Sequence, residues 1–274
     1  MKIQDFSYHT HSNAFNAYDA FNTTEEMVRK AEEIGYSEIG VSNHLIFHPN
    51  MPLDHRMFFN DYNKALDLYK RTADEIREVG TKSKIKVYLG WEVDYFPSAE
   101  WRKLFEKLLK ELDYDYLIGS NHYIWDKDLT KIINLYRLFL YDDFLTPELM
   151  KKFISNHWDN LAEIAKSGYF DFIGHLDVIR VQGLCVGSEW DDKKMEAIEA
   201  IAKHKHPYEL NTSGITKTGE QHPAVWMLKE LQKRNVPIVI SDDAHKTEQL
   251  GAHYETAEKL LQDLNYTNRW RLNK

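Results

Sequence analysis

The sequence predicts an α/β fold in which a parallel sheet closes, or nearly closes, into a barrel. Seven short apolar stretches alternate with helices that carry one apolar face, a pattern typical of buried parallel strands. The chain has 274 residues, a length at which α/β barrels commonly form one unit. Because no linker, internal repeat or low-complexity tract interrupts the pattern, we expect residues 1–274 to form a single domain.

The first half of the chain contains four predicted strands, at 3–8, 37–42, 85–89 and 114–118. Thr23 and Glu26 form a capping box at the start of the first predicted helix, and Gly35 supplies its end. A second helix is predicted at 58–79, and a third begins at Ser98. Each helix therefore follows a strand, as a parallel sheet requires.

The second half continues the pattern with three predicted strands, at 170–173, 207–210 and 236–240. Thr146 and Pro147 begin a helix that Gly168 ends. The remaining helices are predicted from Asp191 or Asp192, from His222-Pro223, and at 253–264. Segment 126–143 is less regular, and we interpret it as an insertion that could lie over the mouth of a site.

Composition and charge exclude several classes of protein. No apolar run approaches the roughly 18 residues of a membrane span, and the N-terminus lacks the order of a secretory signal. Cys185 is the single cysteine, which excludes internal disulfides and suits a cytoplasmic location. The formal net charge of −8 argues against a nucleic acid as the main partner. A small phosphorylated substrate remains compatible, since bound metal reverses the local sign of the field.

Metal-binding residue types recur where the predicted strands end, which in α/β barrels is the end that carries the active site. Six segments supply His9, His11, His44, Glu92, His122, His175, Asp243 and His245, and a seventh ends in Asn211. Taken singly, each has an ordinary alternative: a surface histidine pair, a salt bridge for the carboxylate, or a hydrogen-bonded histidine. Taken together, they predict one polynuclear metal centre.

Nitrogen and oxygen ligands without thiolate favour zinc, manganese or iron. Two or three such ions, a few ångströms apart, suit the hydrolysis of phosphate esters, because they clamp phosphoryl oxygens and lower the pKa of a water. The other seven histidines fall in predicted helices, helix starts or loops, and we assign them no metal role. Among these, His48 and His55 could contact substrate, although solvated loop histidines are the ordinary alternative. The sequence contains no P-loop, dinucleotide-binding glycine pattern or Gly-x-Ser-x-Gly.

The six ligand-bearing segments resemble, in order and spacing, the motifs of the polymerase and histidinol phosphatase (PHP) superfamily. The matching motifs are His9-Thr10-His11-Ser12, Ser42-Asn43-His44, Gly90-Trp91-Glu92-Val93-Asp94, Ser120-Asn121-His122, Gly174-His175 and Ser241-Asp242-Asp243-Ala244-His245. The third motif and the sixth motif, together with Asn211-Thr212-Ser213-Gly214, resemble the stand-alone histidinol-phosphate phosphatase branch. The resemblance implies a distorted (β/α)7 barrel that holds up to three metal ions.

The resemblance also implies which residues hold each ion. The first set is His9, His11, Glu92 and Asp243, the second is Glu92, His122 and His175, and the third is His44, His245 and a first-loop residue. Several relatives carry a histidine in that loop, whereas segment 13–19 of this chain has none. Asp19 lies near the position where other members carry Asp, so we predict it as the third ligand.

The resemblance implies hydrolysis of L-histidinol phosphate to L-histidinol and phosphate, a late step of histidine biosynthesis. We expect Glu92 to bridge two ions, and Asp243 or His245 to pass a proton to the departing alkoxide. Arg180, Asn211 and His48 are the predicted substrate contacts. Two alternatives remain: a PHP phosphoesterase acting on nucleotides or nucleic-acid ends, and a non-catalytic metal-binding PHP module.

Overall fold

The computed structural model describes residues 3–51, 57–126, 131–141 and 145–273. Its strands are β1 (Phe6–Ser7), β2 (Glu38–Val41), β3 (His44–Phe47), β4 (Phe58–Phe59), β5 (Lys86–Asp94), β6 (Tyr116–Ser120), β7 (Tyr123–Asp126), β8 (Lys131–Asn134), β9 (Phe172–Ile173), β10 (Tyr208–Asn211) and β11 (Ile238–Ser241). Its α-helices are α1 (Thr24–Glu33), α2 (Tyr62–Lys82), α3 (Ala99–Glu111), α4 (Pro147–Ser167), α5 (Asp191–His204), α6 (Ser213–Thr218), α7 (Val225–Lys233) and α8 (Tyr254–Asp263). Among these helices, none has the length and apolar character needed to cross a membrane.

Seven strands form one parallel sheet in the spatial order β1, β2, β5, β6, β9, β10 and β11. The two edge strands, β1 and β11, approach each other just past their ends. There Thr10 and Ala244 form a parallel bridge, and the amide of His11 donates to the carbonyl of Ala244 at 2.8 Å. The sheet is thus curled into a nearly closed, distorted (β/α)7 barrel, which confirms the predicted fold class.

Aromatic side chains fill the N-terminal half of the barrel. Phe6, Tyr8, Tyr88, Tyr116 and Phe172 belong to a buried cluster that is separate from the larger core between strands and helices. Tyr116 lies so close to strands β2 and β5 that a Cβ at Gly40 would come within 2.1 Å of its hydroxyl oxygen, and a Cβ at Gly90 within 2.2 Å of its ring. Side chains thus pack this half of the barrel, and the active-site end of α/β barrels is the C-terminal half.

The segment after the last helix closes the N-terminal end of the barrel. Trp270 packs against Tyr8 and Phe172 at ring-centroid distances of 5.7 and 5.3 Å, and Leu272 joins the same buried cluster. Between them, Arg271 Nε donates to Glu38 Oε1 at 2.8 Å. The floor of the barrel is therefore made of packed side chains with a charged pair at its edge.

The helix predictions agree with the structure at several boundaries. The capping box of α1 is present, with Thr23 and Glu26 each bonding the other's backbone, and Gly168 ends α4 in the left-handed conformation. The prediction for His222-Pro223 was wrong, because α7 begins at Val225 and His222 instead pairs with Asn211 in an antiparallel bridge. The short helix α6 had no counterpart in the prediction.

The strand that carries Glu92 is longer than predicted. It continues to Asp94 because a second strand, β3, pairs with its C-terminal part and sets His44 opposite Glu92. The predicted insertion begins at the last residue of β7 and contains β8, which pairs antiparallel with β7, followed by a 3₁₀ helix from Leu135 to Tyr141. Residues 127–130, 142 and 143 of that insertion lie outside the described residues.

Candidate metal centre

All nine side chains predicted as metal ligands converge at the C-terminal end of the barrel. Within the described residues, several sets of three side chains place one ligand atom each within 4.8 Å of one another. These sets are His9, His11 and Glu92; Glu92, His122 and His175; His11, His44 and His245; and His44, Asp94 and His122. Asp19 and Asp243 lie beside them, at the distances given below. The strand ends thus bring together residues that are up to 236 positions apart in the sequence.

The first predicted position lies between His9, His11, Glu92 and Asp243. His9 Nε2 is 3.3 Å from Glu92 Oε1 and 3.6 Å from Asp243 Oδ1. His11 Nε2 is 3.5 Å from Glu92 Oε2 and 3.3 Å from Asp243 Oδ1. The four side chains therefore surround a single point with two nitrogens and two carboxylate groups.

The second predicted position uses the same Glu92 carboxylate. Glu92 Oε1 lies 2.9 Å from His175 Nε2 and 3.5 Å from His122 Nε2, and the two imidazole nitrogens are 3.0 Å apart. Because its oxygens face both ligand sets, Glu92 has the geometry of a bridging ligand.

The third predicted position is more open. Asp19 Oδ1 lies 3.6 Å from His44 Nε2 and 3.5 Å from His245 Nε2. The side chain of Asp19 is 46% exposed and that of His245 is 22% exposed, whereas Glu92 and His9 are fully buried. Asp19 is thus close enough to share an ion with the two histidines, as predicted, but it approaches from the solvent side.

Unpaired polar atoms in the interior show that these side chains fit a bound cation. His9 Nε2, both ring nitrogens of His11, and Glu92 Oε2 are buried without a hydrogen-bond partner. Leaving such groups unpaired is costly, so buried polar atoms almost always have partners. Divalent metal ions would satisfy His9 Nε2, one ring nitrogen of His11 and Glu92 Oε2, and nitrogen and oxygen ligands suit zinc, manganese or iron.

Two further buried carboxylates hold the ligand histidines, and the sequence reasoning missed both. Glu209 Oε2 accepts from His9 Nδ1 at 2.8 Å, and Asp94 Oδ2 accepts from His122 Nδ1 at 3.1 Å. Each occupies an inward-facing position of its strand, two residues from another inward polar residue. That alternation is the sequence signal that could have identified them.

A cavity of about 400 Å³ opens above the centre, and His44, His122, Asp243 and His245 form part of its lining. Apolar and aromatic side chains make up much of the remaining wall, among them Ile46, Met57, Phe58, Tyr123 and Tyr136. Asn134, Tyr136 and Arg137 come from the described part of the insertion, so this segment does border the site mouth. The metal-ligand cluster is accordingly open to a small molecule from one side.

Two cationic side chains also face the cavity. Lys217 Nζ lies 3.3 Å from Asp243 Oδ2, and Arg137, from the insertion, also lines the cavity. Burial lowers the pKa of Lys217, but the negative charge of Asp243 outweighs this and raises the pKa above its usual value. Lys217 is therefore protonated at neutral pH. Nothing distinguished these two residues among the 35 Lys and Arg of the sequence.

The predicted phosphate contact, Arg180, does not line the cavity. Its Nε pairs with Asp177 Oδ2 at 2.7 Å and its Nη1 with Glu220 Oε2 at 2.8 Å, while Nη2 donates to the carbonyl of Gln221. The guanidinium is therefore committed to a structural network outside the cavity. This placement does not support a direct contact with substrate.

Asn211 and His48 are likewise buried away from the cavity wall. Asn211 donates to Glu209 Oε1 at 2.8 Å and accepts from the amide of Ser213 at 3.0 Å, so it acts within the barrel interior. The His48 ring packs against Phe96 at 4.9 Å, and its Nδ1 accepts from the amide of Asn50. His55, the other loop histidine considered, lies outside the described residues.

Comparisons with known proteins agree with this arrangement. A family model described as "PHP domain" matches residues 7–213. A protein of Deinococcus radiodurans named "Probable histidinol-phosphatase" is 26% identical over 253 residues, covering 89% of this chain and 88% of that protein. A protein of Schizosaccharomyces pombe with the same name is 23% identical, covering 96% of this chain and 87% of that protein.

A solved structure also resembles this chain. The structure of histidinol phosphate phosphatase from Lactococcus lactis, complexed with Zn, L-histidinol and phosphate, superposes with a TM-score of 0.70 at 17% identity, covering 97% of this chain and 95% of that one. At this identity the superposition shows a shared fold.

Proposed function

The chain belongs to the PHP domain family, and from this premise we propose that it hydrolyses L-histidinol phosphate to L-histidinol and phosphate in histidine biosynthesis. The observation that carries the proposal is the buried ligand cluster around Glu92 at the floor of a cavity that also presents two cations. Relatives named as histidinol-phosphatases match the chain over most of their own length, which supports a single domain spanning 1–274 and the same substrate.

We assign the ligands in three sets. His9, His11, Glu92 and Asp243 hold one ion; Glu92, His122 and His175 hold a second; and Asp19, His44 and His245 hold a third. Two or three divalent ions, of zinc, manganese or iron, are expected. When bound, these ions offset the charge of the phosphoryl oxygens and acidify the attacking water.

The protein's own side chains position the phosphate group. Lys217, protonated and 3.3 Å from Asp243, and Arg137 on the cavity wall are the cations that can bind phosphoryl oxygens not facing the metal ligands. Charge-assisted hydrogen bonds of this kind are stronger than neutral ones and orient the group they bind. These two residues replace Arg180 as the proposed phosphate contacts.

The departing alkoxide requires a proton, and two residues of the cavity lining can carry it. Asp243 has one carboxylate oxygen near His9 and His11 and the other near Lys217. His245 is partly exposed to the cavity, and its Nδ1 donates to the carbonyl of Asp243 at 2.9 Å. We keep both as proton carriers: either can take up the proton that the attacking water loses and pass it to the alkoxide, His245 only where its Nε2 holds no third ion, with Glu92 fixing the shared ligand geometry beneath them.

The wall of the cavity suits a leaving group with a flat ring. Phe58 and Tyr123 lie with their ring centroids 5.5 Å apart, and Met57 and Tyr136 lie on the same cavity wall. Aromatic and thioether side chains pack favourably against another ring, so the imidazole of histidinol fits this surface. A cytoplasmic location is part of the proposal and depends on the single, buried Cys185.

Metal analysis combined with phosphate release tests the proposal. The purified protein, with its metal content measured, is given L-histidinol phosphate, mononucleotides and a generic aryl phosphate in parallel. We expect the largest kcat/KM for histidinol phosphate. Faster turnover of nucleotides would show that the substrate class is wrong. A fully metallated sample that releases no phosphate from any substrate would contradict the enzyme assignment and favour a binding module.

A further inference from the structure

Glu209 lies inside the barrel directly behind the ligand cluster. It is the second residue of β10, where Tyr208 and Leu210 point outward into the main core, so that Glu209 and Asn211 point inward. Its side chain is fully buried. A carboxylate buried in this way is energetically costly unless both of its oxygens have hydrogen-bond partners.

Four donors surround the Glu209 carboxylate. Oε2 accepts from His9 Nδ1 at 2.8 Å and from the hydroxyl of Ser241, while Oε1 accepts from the backbone amide of His175 at 2.7 Å and from Asn211 Nδ2 at 2.8 Å. One carboxylate thus contacts the ring of a ligand from the first set and the backbone of a ligand from the second set. Both contacts are made from the side away from the cavity.

The contact with His9 determines how that ring can act. An ionised carboxylate only accepts hydrogen bonds, so His9 Nδ1 carries the proton and Nε2 keeps its lone pair. His9 Nε2 is the atom that lies 3.3 Å from Glu92 Oε1 and has no hydrogen-bond partner. Glu209 therefore presents His9 in the one tautomer that can bind a metal at this point.

The comparison with Asp94 shows what is particular to Glu209. Asp94 accepts from the ring and from the backbone amide of a single ligand, His122. Glu209 instead joins two ligands that belong to different ions. We propose that Glu209 is a positioning residue that fixes the His9 tautomer and ties the first metal position to the second through His175. The proposal depends on the metal assignment made above, but not on the identity of the substrate.

Replacement of Glu209 by Gln tests this role, with Glu38→Gln as the matched control. Glu38 is also a buried inward carboxylate of a barrel strand, at the opposite end, where it bonds Tyr8 and Arg271. Zinc affinity is measured by competition with a chromophoric chelator on the metal-loaded proteins. We expect Glu209→Gln to lower the affinity by about 10–100-fold, the usual effect of losing a carboxylate behind a ligand histidine. Glu38→Gln is expected to stay within about twofold of wild type. Wild-type affinity in Glu209→Gln would overturn the proposal.

A second measurement needs no variant at Glu209 to fold. Long-range ¹H–¹⁵N spectra of the zinc-loaded wild-type protein report the tautomer of each histidine, and a His9→Gln variant identifies the His9 signals. A proton on His9 Nδ1 is expected, and a proton on Nε2 would overturn the proposal whatever the variant does. Neither readout involves turnover, so failure of the histidinol phosphate assay and failure of this proposal are distinguishable.

Discussion

The inner and outer parts of the proposed metal centre are built differently. The inner ligands, such as His9, Glu92 and His175, are buried at strand ends, and carboxylates inside the barrel hold two of the ligand rings. The outer position depends on Asp19, which is 46% exposed and lies in a loop. The contrast indicates that a site on paired strands is already formed before metal binds. A site that includes a loop residue is expected to form fully only when metal binds.

The loop that carries Asp19 is fixed mainly where it begins and ends. The amide of Asn13 donates to the carbonyl of Asn22 at 2.8 Å, and the amide of Phe21 donates to the carbonyl of His245 at 2.8 Å. These bonds bring the loop back to the site, where the Asp19 carboxylate lies within 3.6 Å of His44 Nε2 and 3.5 Å of His245 Nε2. Because Asp19 is half exposed, we expect an ion at the proposed outer position to bind more weakly than an ion at either inner position.

Glu92→Gln should give the largest effect, because it removes the charge shared by both inner sets. A metal ion supplies several kcal/mol of transition-state stabilisation, so we expect kcat to fall by about 10²–10⁴-fold. Metal content should fall as well, while circular dichroism should show an intact fold. Near-wild-type turnover would contradict the assignment of Glu92 as a bridging ligand. It would also remove the basis for distinguishing the inner metal positions from the outer one.

Lys217→Met tests whether the Lys217 ammonium group binds the phosphate group of the substrate or instead supports the proposed metal ligands. Loss of a charge-assisted hydrogen bond costs about 1.5–3 kcal/mol, so kcat/KM should fall by about 10–100-fold. The metal-to-protein ratio should stay at the wild-type value. A drop in bound metal with no change in KM would show instead that Lys217 supports Asp243.

Asp19→Asn should affect only the outer position. We expect about a tenfold loss of activity at limiting metal, because one of the three proposed ligands loses its charge, and recovery when metal is added in excess. Titrations of activity against free metal concentration measure both. If excess metal does not restore activity, or if all ions are lost together, the two positions are not independent.

His48→Ala should leave turnover and metal content unchanged, because the ring packs against Phe96 outside the cavity wall. Its effect is expected on folding, with the free energy of unfolding reduced by about 0.5–3 kcal/mol, as for other truncations of buried side chains. Thermal unfolding measures the change in stability, and an activity assay measures any change in turnover. A specific rise in KM would return His48 to the substrate contacts.

The convergence of the candidate ligands could be predicted from sequence because parallel strands place their C-terminal residues at one end of the barrel. That rule placed His44 and His175 at the site, and their binding of metal stays a prediction. It could not identify Lys217, whose role depends on how the short helix α6 packs beside Asp243. The position of Arg180 could not be predicted either, because its guanidinium pairs with Asp177 and Glu220 and does not line the described cavity.

The aromatic floor of the barrel, closed by Trp270 and Leu272, lies at the end opposite the described cavity. In the proposed reaction, substrate would enter and both products would leave at the cavity end. Phosphate would form next to the candidate metal ligands, deeper in the cavity than the alcohol. We therefore expect an ordered release in which phosphate departs last and, in initial-velocity measurements, inhibits competitively against the substrate.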